Sequence, residues 1–436
     1  MSFQALRLRD NELVVTSASD AITLPVSTTT RFVLTAFGKA SIPMALAAER
    51  RLGQRIHDGV VIAPITSKAR DTGLRSRVFY GAHNNLPDAN SVAATMEALH
   101  TIQKNDADDV VFLFLISGGG SALFCAPDGI SLEAKLSTIK TLTANGANIR
   151  VLNAFRQKLS AVKGGKTLNF VKKGMVVSLI VSDLIDDLIQ FIASGPTILQ
   201  TPTMVQMSQT IVTSSKWTSL LPPEIMEKVR ESSLSTLPSS NPHNIIIASN
   251  SSALEELRAF FTSFGYDSRI VCSGLEGNAT EVGRYFAEVI SAGKNDLVTK
   301  LEKFGKAPET PLKNKVALLF GGETTVELHG DGRGGRCQEM ALSCLISLSS
   351  SFVPLPPFLF LAAGTDGQDG PTDAAGALIS NDDIKEDITK LGERFLNTSN
   401  SYQFWSTYNN GKNHIKTGPT GTNVMDIQIV LLHFEE

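Results

Sequence analysis

The chain has 436 residues, 42% hydrophobic and 19% charged, with a formal net charge of −3. This is the composition of an ordinary globular protein with ample core, long enough for more than one domain, and it excludes a strongly basic nucleic-acid binder and a polybasic membrane-surface protein. An anionic ligand therefore has to be held by local positive groups.

From the N-terminus, Asn11 to Val15 and Arg31 to Phe37 read as strands, and the second ends in Gly38-Lys39-Ala40-Ser41 ahead of an alanine-rich helix, Ile42 to Leu52. Gly59 to Pro64 reads as a short buried strand and Ser91 to Lys104 as a helix. The organising stretch follows: Val110 to Ile116 is a continuous apolar run that stops at Ser117-Gly118-Gly119-Gly120-Ser121, a pattern of buried strand, glycine turn and helix start. Glycines let a backbone approach a ligand, and amides at a helix start with two serine hydroxyls suit a phosphate or carboxylate. A plain turn is the rival reading.

Leu132 to Thr143 has helical spacing, and Arg156 to Lys166 then places four cations beside Gly164 and Gly165. Gly165-Lys166-Thr167 mimics the end of a P-loop, but the first glycine of that motif would fall at Ser160. Val176 to Val181 is another buried strand, followed by Ser182-Asp183-Leu184-Ile185-Asp186-Asp187, whose carboxylates at a strand end suit Mg²⁺, a substrate hydroxyl proton or a helix cap. Asn244 to Ala248 and Ser268 to Cys272 add two strands, and the serine-rich run 231–240 reads as a surface loop. Strands alternating with helices predict a parallel sheet covered on both faces.

The polar, lysine-rich run 292–314 carries two prolines and marks a linker between domains 1–291 and 315–436. Beyond it, Val316 to Phe320, Phe358 to Ala362 and Ile427 to Leu432 read as strands, each near a glycine-rich motif. These motifs are Gly321-Gly322-Glu323, the loop Gly330 to Glu339 with Arg333 and Arg336, Gly364-Thr365-Asp366 with Asp369 and Asp373, and Thr417 to Asn423 with Thr420. Two arginines among four glycines suggest a loop that closes on an anion. The four cysteines show no C-x-x-C spacing, the N-terminus lacks a secretory apolar core, and no apolar run reaches about 18 residues, so a reducing cytosol and no membrane span are the expectation, with a mitochondrial form left open.

In order, F-G-K-A, L-I-S-G-G-G-S-A-L, L-S-A-V-K-G-G-K, V-S-D-L-I-D-D-L-I-Q-F-I-A-S-G-P-T, G-G-E-T-T-V, G-R-G-G-R-C-Q-E, G-T-D-G-Q-D-G-P-T-D-A-A-G and T-G-P-T-G-T-N-V-M-D cover nearly the whole chain. Together they resemble the class II glycerate kinases, whose C-terminal half is the MOFRL domain. The resemblance implies an α/β protein of two α/β domains with mostly parallel sheets and an active-site cleft between them. It implies ATP-dependent phosphorylation of D-glycerate, usually at the 2-hydroxyl, with Mg²⁺ or another divalent cation, no nucleic acid or membrane partner, and a monomer or homodimer. Carried over by motif, Lys39 and Arg336 contact substrate and transferring phosphate, while Asp183 and Asp187 bind metal or activate the hydroxyl. The cradle is Ser117, Gly118, Gly119, Gly120 and Ser121, joined by Lys163, Glu323, Thr365, Thr420 and Asn423, with Asp366 a further metal candidate and Asp369 beside it. The chain departs from the family pattern at Cys337, where asparagine is usual, at Asp186 and Leu188, and in the segment Gly81 to Asp88. Rival readings are a nicotinamide-dependent hydroxypyruvate reductase, which would need a third glycine where Leu123 stands, and a nucleotide-binding sensor without turnover.

Overall fold

Apolar runs with no polar break need cover on both faces, and this requirement sets the first large sheet. The computed structural model describes residues 5–17, 21–68, 71–83, 86–231, 241–305, 312–351, 353–385 and 387–435. Strands β1 (Leu6–Arg9), β2 (Glu12–Thr16) and β3 (Ala21–Pro25) form a small antiparallel sheet. Then β4 (Arg31–Phe37), β5 (Ile56–Pro64), β6 (Arg77–Gly81), β7 (Val110–Ile116), β8 (Met175–Val181) and β9 (His243–Ala248) build a six-stranded sheet in the order β6-β5-β4-β7-β8-β9. Every pairing in it is parallel. All seven residues of β7 are buried, and burying each phenylalanine or leucine of this central strand contributes roughly 1.5–3 kcal/mol.

Helices α1 (Ser41–Leu52) and α2 (Ala89–Lys104) follow β4 and β6, and the Asp88 carboxylate caps α2 by accepting from the Ser91 amide at 2.8 Å. The helix start after the glycine turn is α3 (Gly120–Leu123), a single helical turn. Helices α4 (Leu132–Ala144), α5 (Ile149–Lys158), α6 (Pro202–Thr213), α7 (Ser215–Thr218) and α8 (Pro223–Arg230) supply a satellite core around Phe155, Leu142 and Trp217.

The second sheet has the order β10-β11-β15-β12-β13-β14, with β10 (Asp267–Leu275), β11 (Lys315–Gly322), β12 (Phe358–Gly364), β13 (Gly376–Ser380), β14 (His414–Ile415) and β15 (Asp426–His433). It is mixed: β10 and β11 are parallel, and the other four pairings are antiparallel. Its core gathers α10 (Ala279–Ile290) and α12 (Arg336–Ser349), with Phe286 against Phe320 and Phe360 at centroid distances of 4.9 and 4.7 Å.

The chain divides into two compact units, 1–182 with 187–248, and 183–186 with 249–436. The division therefore falls near Ala248 rather than in the polar run 292–314. The reason is strand pairing: β10 and the α9 helix (Asn250–Ser263) before it pack on β11, and 294–301 is helix α11, whose Leu297 and Leu301 are buried in the second core. Residues 306–311 of that run, 232–240 of the serine-rich loop, and Asn84 and Asn85 lie outside the described residues. No helix among the described residues is long and apolar enough to cross a membrane.

Candidate functional site

In the N-terminal unit the connections run one way from β4 to β5 and β6 and the other way from β7 to β8 and β9. Neighbouring strands β4 and β7 are thus the switch point of the sheet, where α/β proteins open a crevice at the carboxyl ends. The two sequence motifs Gly38-Lys39-Ala40 and Ser117 to Ser121 meet there. The Lys39 amide donates to Gly118 O at 2.8 Å, and the Ser117 hydroxyl accepts from the Ala40 amide at 3.0 Å. Gly38 has φ +121, and any side chain on it would overlap Ser117, so this close approach requires glycine.

Gly119 is left-handed at φ +78, and a methyl group on it would stand 3.5 Å from Lys39 Cγ. Among the described residues the amides of Gly118 and Gly119 donate to no acceptor. Two open amides beside a half-buried lysine form a cradle for an anion. Ser117 itself is fully buried and its hydroxyl holds the turn together, so it shapes the cradle.

Lys163 takes a different place from its predicted one. Its ammonium is buried and donates to the carbonyls of Ser121, Phe124 and Ala193 at 2.9, 3.2 and 3.4 Å, which uses all three N–H groups. Burial pulls its pKa down to about 7. It buttresses the segment behind the cradle from within. Lys166, in the P-loop mimic, likewise donates to Gln157 O and Ser160 O at 2.9 and 2.6 Å and closes the end of α5.

Ser121 Oγ lies 2.9 Å from Ser194 Oγ, which donates to Asn153 Oδ1 at 2.9 Å. Ser194 and Ala193 have φ of 64 and 50, as do Asp186 and Asp187 with 64 and 50. Four non-glycine residues in left-handed backbone after β8 hold strain of about 1–3 kcal/mol each, a cost concentrated at functional edges. Asp183 counts with the C-terminal unit and Asp187 with the N-terminal one.

In the C-terminal unit the ends of β11, β12 and β15 collect the remaining predicted residues. Arg336 opens α12, and its guanidinium grips Asp426 through Nε and Nη2 at 2.5 and 2.9 Å while Nη1 reaches Glu323 at 3.0 Å. These two carboxylates raise its pKa above its ordinary value despite partial burial. Asp426, fully buried, was absent from the sequence candidates although the T-N-V-M-D motif ends on it; nothing local marks an aspartate as an arginine's partner 90 residues away. A methyl group on Gly364 would stand 3.4 Å from both Asp366 and Asp426 oxygens, so these acids flank one glycine.

Asp369 is buried, and its carboxylate accepts from the amides of Cys337 and Gln338 at 3.1 and 2.9 Å, anchoring the start of α12. Burial lifts its pKa to about 6. The Cys337 thiol is buried and pushed up. Thr365 donates to Met425 O at 2.7 Å, Thr420 donates to Thr365 O at 2.6 Å, and Asn423 Oδ1 accepts from the Met425 amide at 3.3 Å. These three predicted ligands tie the 417–425 loop to the end of β12. Asn250, which sequence reading passed over, donates to Val424 O and Asp426 O at 2.8 and 2.9 Å and fixes the same loop.

Residues 3–230 match the family described as domain of unknown function DUF4147, and residues 316–426 match the MOFRL family. The chain is 45% identical over 416 residues to an uncharacterised Caenorhabditis elegans protein, covering 93% of this chain and 90% of that one. It is 34% identical to the Rattus norvegicus glycerate kinase, covering 92% and 84% of the two chains, and 34% identical to the Thermotoga maritima D-glycerate 2-kinase, covering 94% and 93%. Its fold matches the crystal structure of the Thermotoga maritima glycerate kinase with TM-score 0.76 at 31% identity, covering 93% and 92%.

Proposed function

The chain belongs to the class II glycerate kinase family, with a DUF4147 and a MOFRL part, and on that premise we propose that it phosphorylates D-glycerate from ATP, at the 2-hydroxyl, by direct in-line transfer. The observation that carries the reading is the switch-point cradle, in which Lys39 stands beside the open amides of Gly118 and Gly119. Phosphoryl transfer needs positioning and charge neutralisation more than covalent chemistry. In this reading backbone amides and Lys39 fix phosphate oxygens without reorganising when charge moves, and Arg336 supplies a second fixed cation. The glycerate oxygen bonds to the γ-phosphorus, the bond to the β–γ bridging oxygen breaks with ADP leaving, and the hydroxyl proton passes to an aspartate, with Asp183 and Asp187 the candidates.

Among the described residues no three His, Cys, Asp or Glu side chains come together as a metal cage. Mg²⁺ or another divalent cation would be held chiefly by phosphate oxygens and one or two carboxylates, drawn from Asp183, Asp187 and Asp366. Such a cation supplies charge neutralisation on the phosphates. A reductase reading lacks support, because the turn after β7 ends in Leu123 where a dinucleotide site needs glycine. The test is incubation with ATP and D-glycerate and product identification by phosphorus NMR. A phosphomonoester on C2 with matching ADP supports the proposal; a C3 ester corrects the position, and ADP without phosphoglycerate sinks it.

A further inference from the structure

Arg156 lies in the cation-rich motif that no step above uses. It is half-buried on α5, three residues after Asn153, whose carboxamide holds Ser194, and beside Gln157, whose Nε2 donates to Ser194 O at 3.3 Å. Residues three and four apart share a helix face, so Arg156 belongs to the face turned to the support of the cradle. It adds to the positive surroundings of Lys163 and Lys135. Lys163 in turn donates to the Ser121 carbonyl at 2.9 Å.

Every other cation of the group has acceptors. Lys163 and Lys166 have carbonyls, Lys135 lies 3.5 Å from the Cys125 sulfur, and Lys158 donates to Glu231 O at 2.5 Å. Arg156 has no hydrogen-bond acceptor and no carboxylate partner among the described residues. Asp128, which stands by Lys158 and Lys166, pairs with Lys228 at 3.0 Å. Burial lowers the guanidinium pKa with no anion to offset it. A partly desolvated guanidinium with no protein acceptor among the described residues gains when an anion arrives.

We propose that Arg156 is a further binding residue of the N-terminal site and that its guanidinium takes an oxyanion of the reactants, a nucleotide phosphate or the carboxylate of the hydroxy acid. The choice of anion rests on the phosphoryl-transfer reading, but the presence of an oxyanion site does not.

The experiment compares the full chain with its Arg156→Leu and Arg156→Lys variants by thermal unfolding, alone and with inorganic phosphate, D-glycerate or ATP, and by steady-state kinetics. Arg156→Leu should unfold in buffer at or above the temperature of the native chain, since no pair is lost. It should lose most of the anion-induced rise in Tm and at least about thirtyfold in kcat/KM, with Arg156→Lys restoring part of each. A rise confined to the KM for D-glycerate identifies the carboxylate, and one confined to the KM for ATP identifies a nucleotide phosphate. Anion-induced shifts of equal size in native and Leu chains, or absent from both, would overturn the proposal. If the native chain fails to turn over ATP and D-glycerate, the kinase reading falls, while the phosphate arm still decides the role of Arg156.

Discussion

The two glycine-rich strand edges spend their glycines differently. At the end of β7, Gly118 and Gly119 leave amides open beside Lys39, so the backbone is bare toward a ligand. At the end of β11 and the start of α12, glycines bring protein groups against one another: a side chain on Gly335 would overlap the Asp369 carboxylate, one on Gly332 would overlap the Thr398 carbonyl, and one on Gly321 would overlap Asn250. There Arg336 holds Asp426 and Glu323. Glycine density therefore marks close approach, and only the partner decides whether a ligand or the protein's own chain is approached.

That contrast predicts which variants lose fold along with activity. Arg336→Ala leaves the buried Asp426 carboxylate without its partner, and breaking such a pair costs about 3–5 kcal/mol. Urea unfolding should show that loss, together with at least about a tenfold fall in kcat/KM, or ~1.4 kcal/mol. Lys39→Ala should lose at least about tenfold in kcat/KM, with a smaller loss in urea unfolding than Arg336→Ala, which strands the buried Asp426 carboxylate. If both variants unfold alike, the stranded Asp426 carboxylate is not what destabilises the Arg336 variant. Gly119→Ala, at φ +78, should destabilise by about 1–2 kcal/mol and weaken ATP binding in calorimetry, since the methyl group enters a left-handed turn beside Lys39.

Much of the N-terminal edge was legible in the sequence because its determinants are local. Seven apolar residues followed by three glycines specify a buried strand and a tight turn, and the structure places both. What was hidden depended on partners distant in sequence. Lys163 reads as one cation among four, and only folding brings three carbonyls to its ammonium. Arg156 reads the same way, yet it finds no acceptor. The unit boundary was hidden for a similar reason: β10 is a half-buried strand whose neighbour β11 lies beyond the lysine-rich run, and pairing across it carries no local signature.

The smallest effect expected is the one that separates the two edges by pH. His414 is buried, and its Nε2 lies 3.0 Å from Gln338 Oε1; Gln338 Nε2 donates to Asp369 at 3.0 Å, and Asp369 holds the first turn of α12 where Arg336 sits. Burial and the neighbouring Lys416 lower the His414 pKa to about 4, against a weaker pull upward from Asp373. An unfolded histidine titrates near 6.5, so between about 4 and 6.5 the unfolded chain binds more protons and stability falls as pH falls. Asp369, lifted to about 6, contributes with the opposite sign in this window, so the readout is the difference between the native chain and His414→Gln. Unfolding free energies from pH 4 to 7 should fall more steeply toward acid in the native chain, and parallel curves would remove His414 from the account. Acid should therefore loosen the start of α12 through His414, Gln338 and Asp369.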